Sequence, residues 1–247
     1  MAQASASAET NASVGSGLIG MLNAFVDPKG TARLVPAPLF WLWPLLTLAI
    51  IYGVFGYLML PYTMQLIDAR MSQQFAQQNV PPERAEAAQR VAHMFAQFTF
   101  VLTPVSVIVF LVVMAWLVSL MGSIVGLRAK FRNVFSLMAA CSLITALQTI
   151  AVYIVLRVKG DEIQSQEQLT PPFGLDIFLQ DVHGPLLAVL NFFSIFEIWY
   201  LVVLVLGLAY LSKSSVGKAF AALTPAWLLP LLFRMIGMMF AGGGASS

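Results

Sequence analysis

Hydropathy divides the chain into five long apolar blocks, at about residues 39–60, 98–121, 134–156, 185–211 and 219–240. Each exceeds the roughly 18 residues that mark a transmembrane candidate, since about 20 residues rising ~1.5 Å each cross ~30 Å of hydrocarbon. Barrel strands of about 10 alternating residues do not fit runs this long and this weakly alternating. The pattern predicts an all-α integral membrane protein, a bundle of five transmembrane helices. The fourth block draws most attention, because residues 185–211 hold a single charged side chain, Glu197, near their middle.

Two connections are long. Within residues 61–97, Met64, Ile67, Met71 and Phe75 recur at helical spacing before Val80-Pro81-Pro82 interrupts them. After Pro82, Ala85, Ala88, Val91 and Phe95 share one predicted face, with Glu83, Arg84, Glu86 and Arg90 elsewhere. This connection is therefore expected to be an amphipathic helical link with a solvated, Gln-rich face. The other, residues 157–184, is acidic, carries Pro171-Pro172 and reads as loop. Residues 1–21 read as a disordered cytoplasmic tail, lacking the basic start and apolar stretch of a cleavable signal peptide. Residues 22–240 form one membrane domain, and 241–247 a flexible tail. Gly122-x-x-x-Gly126, just past the second block, has the spacing of a helix-packing motif, but at the end of a span chance spacing is the stronger reading.

Composition agrees with the pattern, at 59% hydrophobic and 10% charged, against about 25% charged in ordinary soluble proteins. A net charge of +2 with no basic–aromatic patch argues against nucleic acid. Lys and Arg decide the orientation by density. Residues 122–133 carry Arg128, Lys130 and Arg132 and no acid, whereas the two long connections are dilute and acid-rich. The positive-inside rule then places the N-terminus in the cytoplasm and, with an odd number of spans, the C-terminus outside.

Depth along the helices groups the polar side chains. Counting helical rise from the cytoplasmic ends, Glu197, Arg234, Gln148 and Ser106 lie about 21–24 Å deep, and Tyr52 about 20 Å. A central charge costs on the order of 3 kcal/mol and needs a partner, a proton or a wet cavity. Glu197 and Arg234 are therefore expected to form an intramembrane ion pair assisted by Gln148. Two alternatives stand beside it: Arg234 snorkelling from a protonated Glu197, or a working proton or substrate site.

Signs of chemistry are few. The chain has no His-Glu-x-x-His, no Gly-x-Ser-x-Gly and no phosphate-cradling glycine loop. Its two histidines, His93 and His183, lack ligand spacing, and Cys141, the single cysteine, sits in an apolar block. No catalytic residue, metal or cofactor is expected.

Phe193-Ser194-Ile195-Phe196-Glu197-Ile198-Trp199, followed by Leu201, Leu204 and Gly207-Leu208-Ala209, resembles the fourth-span pattern of Yip-domain (Rab/Ypt-interacting-protein type) membrane proteins, prokaryotic branch. The lead-in Phe25-Val26-Asp27-Pro28-Lys29-Gly30-Thr31, with Leu34, Pro36 and Pro38, is similar to that family's approach to its first span. The resemblance covers about residues 22–235. It implies a non-enzymatic five-span protein of a bacterial cytoplasmic membrane, acting as a scaffold or trafficking-like organiser. Its partners would be the lipid bilayer and other membrane proteins or a second copy of itself. It also makes Glu197 a variable position, and the short N-terminal region speaks against a small-GTPase adaptor. A small transporter using the Glu197–Arg234 layer and an accessory subunit of a larger complex remain alternatives.

Overall fold

The computed structural model describes residues 17–159, 173–175 and 185–242, and these are helical apart from turns, with no strand among them. The helices are α1 (Gly17–Val26), α2 (Pro28–Leu34), α3 (Leu42–Gln78), α4 (Pro82–Ile124), α5 (Phe131–Lys159), α6 (Pro185–Phe192), α7 (Ile195–Leu211) and α8 (Val216–Gly242). Four stretches among the described residues are long and apolar enough to cross a bilayer: Leu42–Gln78, Val101–Ile124, Phe131–Val158 and Val216–Gly237. The fourth apolar block differs from expectation. Instead of one helix it forms α6 and α7, and α7 with 17 residues is only about 26 Å long.

Helix ends explain where the elements stop. At the end of α4, Gly126 adopts φ +78°, and the Leu127 and Gly126 N–H groups donate back to the Gly122 and Ser123 carbonyls at 2.7 and 3.3 Å. That is a Schellman stop with a left-handed residue just past the helix. Gly122-x-x-x-Gly126, whose spacing also allowed a packing motif, is thus a terminator. The same device closes α7, where Lys213 at φ +50° occupies the left-handed position and Ser214 N–H donates to the Ala209 carbonyl at 2.9 Å. It closes α3 as well, with Asn79 at φ +49° and the Val80 N–H on the Phe75 carbonyl at 3.2 Å. Pro82 then opens α4, where a missing N–H costs nothing.

Residues 61–78 and 82–97 are helical, as their spacing predicts, but the two halves are continuous with α3 and α4 rather than separate. Their facing also differs. Ala85 and Ala88 are half-buried, with Ala92 and His93, while Val91 and Phe95 point outward at 48% and 63% exposure. Gly17–Met21, expected as tail, begins α1, and Met21 is buried. Most of the second long connection, including His183, lies outside the described residues.

The contacts divide the chain into two compact units. Unit one is built from Met1–Thr47, Ile108–Thr145 and Pro172–Ser247. Its core is the first half of α5, where Leu137, Met138, Ala139, Ala140, Cys141 and Ile144 are buried with Val118, Leu208 and Leu223. Gly207 of α7 lets Leu137 approach closely: a Cβ there would stand 2.9 Å from the leucine Cδ1. Unit two comprises Leu48–Val107 and Ala146–Pro171. Tyr62 and Leu156 centre its small core, with Met59, Val152 and Tyr153 packed around them. Farther along, His93 Nε2 meets Asp68 Oδ1 at 2.8 Å, tying α4 to α3.

Candidate functional site: the α6–α7 break

The sequence places Phe192-Phe193-Ser194 between two apolar runs, and the structure breaks the helix there. Ser194 is extended (φ −70°, ψ 157°), and its Oγ accepts the Glu197 N–H at 3.1 Å, capping α7. Ser194-x-x-Glu197 is the sequence of a capping box, which puts the carboxylate in the first helical turn, where backbone N–H groups favour negative charge. Glu197 therefore stands at a helix start, not in mid-helix.

Its side chain has a second partner. Trp227 of α8 donates its indole N–H to Glu197 Oε2 at 3.2 Å. The same indole fills the break, with ring centroids 5.0 Å from Phe192 and 5.7 Å from Phe193. Ile195 N–H donates to the Phe173 carbonyl at 3.0 Å, and the Phe173 ring meets Phe196 edge-on at 5.7 Å. Aromatic pairs of this kind add about 0.5–1.5 kcal/mol each beyond burial.

One turn along α7, Trp199 donates its indole N–H to the Phe25 carbonyl at 3.1 Å, and the two rings lie 5.9 Å apart. Phe25 lies in the last turn of α1, and Asp27 then starts α2 by accepting the Gly30 N–H at 2.9 Å, with Pro28 at the first helical position. Near the far end of α7, Arg33 Nε donates to the Tyr210 hydroxyl at 2.8 Å, its guanidinium 5.5 Å from the ring centre. That bond raises the Arg33 pKa above its already high value, so the group stays cationic. The lead-in helices thus lie along α7, fastened at Trp199 and at Tyr210. Thr31, fully buried, adds a hydrogen bond to the Gly20 carbonyl at 3.1 Å that closes α2 onto α1.

Of the side chains expected to share a layer, Glu197 and Arg234 belong to unit one, whereas Tyr52, Ser106 and Gln148 belong to unit two. Ser106 is exposed and donates to its own helix, to the Thr103 carbonyl at 2.8 Å. Tyr52 and Gln148 are half-buried. The Arg234 side chain lies outside the described residues, and with it the Glu197–Arg234 pair. Trp227, which depth arithmetic did not single out, is the bonded partner of Glu197; the capping-box spacing at Ser194 was the available sign of the break. No group of three metal-ligating side chains occurs among the described residues. What the geometry accomplishes is mechanical: a carboxylate, an indole and a serine hydroxyl hold α6, α7 and α8 at a fixed junction.

A family model described as the Yip1 domain matches residues 22–238, nearly the whole chain. No curated protein and no solved structure matches it.

Proposed function

Because the chain belongs to the Yip1 domain family, we propose that this integral membrane protein is a non-enzymatic scaffold that organises other membrane proteins, in a bacterial cytoplasmic membrane with its N-terminus on the cytoplasmic side. One observation carries the reading. In unit two, α4 runs 19 residues from Pro82 before its apolar stretch begins at Val101, about 28 Å of helix. This segment pairs with α3 through His93 and Asp68, and the turn at Asn79–Pro81 closes the hairpin. A bilayer core of ~30 Å cannot contain helices of 37 and 43 residues. The hairpin therefore extends past the hydrocarbon while exposing Val91, Met94 and Phe95. Exposed apolar side chains beside charged Glu86 and Arg90 fit a protein-binding arm better than a transport path. The Glu197 carboxylate, the group a transporter would use, is engaged by the Trp227 indole N–H.

The test is copurification of the full chain from its native membrane in mild detergent. A stoichiometric membrane-protein partner that is lost with V91N/F95N supports the scaffold; retention of that partner by the variant removes the hairpin from it. Ion or solute flux into proteoliposomes that disappears with Glu197→Gln would replace scaffolding with transport.

A further inference from the structure

Five helix ends meet the same end of unit one: the starts of α3, α5 and α8 and the ends of α4 and α7. The chain there carries Lys29, Arg33, Arg128, Lys130, Arg132, Lys213 and Lys218, all exposed. Asp27 is the one acid among the described residues of these segments, and it is engaged by the Gly30 N–H. Two of the cations are held rather than loose. Arg33 is fixed by the Tyr210 hydroxyl at 2.8 Å. Arg132 NH2 donates to the Ala37 carbonyl at 3.2 Å, four residues along the chain from Arg33 in a segment kept tight by the Ala37 N–H on the Leu34 carbonyl at 2.9 Å.

We infer that Arg33 and Arg132 form a binding site for the phosphate of an anionic phospholipid. Guanidinium groups present a planar fork that matches phosphate oxygens, and positioning them in advance reduces what is lost on binding. Depth agrees with a lipid. Trp41 and Trp43 are half-buried at the start of α3, and Tyr210 stands at the end of α7, the amphipathic aromatics that occupy the headgroup level. Apolar surface for acyl chains lies beside Arg132 and the Ala37 carbonyl it holds. Leu39 is 53% exposed two residues past Ala37, and Phe131, next to Arg132, is 42% exposed and stacked on Phe135. Basic pockets between membrane helices at this depth bind acidic headgroups in this way. A free phosphate would use the arginines but not Leu39 and Phe131.

The experiment uses the whole protein in neutral detergent, with phosphatidylglycerol, phosphatidylcholine or glycerol phosphate added, read by native mass spectrometry and by melting temperature. Phosphatidylglycerol is expected to bind at one equivalent and to raise the melting temperature, whereas phosphatidylcholine and glycerol phosphate at the same concentration do neither. R33Q/R132Q should weaken phosphatidylglycerol at least tenfold, and R33K/R132K, which keeps the charge and the chance of folding, should weaken it several-fold. K213Q/K218Q, which removes the same net charge from the α7–α8 turn instead, should bind as the unmodified chain does. Equal weakening by the two glutamine doubles, or no weakening by the lysine double, overturns the site in favour of diffuse attraction. A matching effect of glycerol phosphate overturns the lipid as ligand.

Discussion

Removing the indole donor from Glu197 separates the hydrogen bond seen at the break from the ion pair expected from depth. In Trp227→Phe the ring that packs on Phe192 and Phe193 is largely kept, while the bond at 3.2 Å to Glu197 Oε2 is lost. A half-buried acceptor deprived of its donor costs about 1–3 kcal/mol, and the smaller ring adds a packing loss. Glu197→Leu removes the acceptor and leaves the indole without it. A double-mutant cycle cancels the packing terms, so the coupling left is about 1–2 kcal/mol, near the upper range for a neutral donor at this length. The assay is equilibrium unfolding in mixed micelles followed by far-UV circular dichroism, with Arg234→Met run against the same Glu197 change. Single-mutant costs that add within about 0.5 kcal/mol would show that the Trp227–Glu197 bond does not stabilise the fold. Coupling of Glu197 to Arg234 and none to Trp227 would restore the ion pair.

Lys213→Gly should stabilise the protein by about 0.5–1 kcal/mol in the same unfolding assay, because the φ of +50° suits glycine. Gly126→Ala should lose about 1 kcal/mol for the converse reason at φ +78°. Gly207→Val should destabilise by about 1–3 kcal/mol, since even its Cβ would stand 2.9 Å from Leu137; a neutral outcome would mean that α5 and α7 are not in close contact. Asp27→Ala removes the α2 cap, about 1 kcal/mol, and should speed amide exchange across Pro28–Leu34 roughly fivefold while leaving α5 unchanged.

Hydropathy reads well where apolar length and helix length coincide. The spans within α3, α4, α5 and α8 emerge from it directly, and Val80-Pro81-Pro82 marks the hairpin turn by the chemistry of proline alone. It fails at residues 185–211, because a break between two apolar helices leaves no polar gap to detect. The break is written in local chemistry instead, as a serine three residues before a glutamate, which competes poorly for attention inside an apolar run. Gly122 and Gly126 show a related ambiguity: the same spacing serves close packing or a Schellman stop, and only φ at Gly126 separates them. The partner of Glu197 was invisible for a different reason. Trp227 lies 30 residues away, and no rule of spacing within one helix connects them.

The residues that resemble the family pattern acquire a shared physical purpose once the contacts are in view. Phe25 and Trp199 join the lead-in to α7 by a ring contact and a carbonyl hydrogen bond, and Asp27-Pro28 starts the helix that carries Arg33 to Tyr210. Gly207 admits Leu137 on another side of the same helix. At 17 residues, α7 is short for a free-standing span, and it is held at both ends and at its middle by other elements. A helix so dependent on neighbours needs particular residues at each contact, which is why a motif built of apolar and capping residues can be specific without marking a reaction. Glu197 belongs with these. Its N–H donates to the Ser194 hydroxyl that caps α7, and its carboxylate's bond to Trp227 joins that helix start to α8.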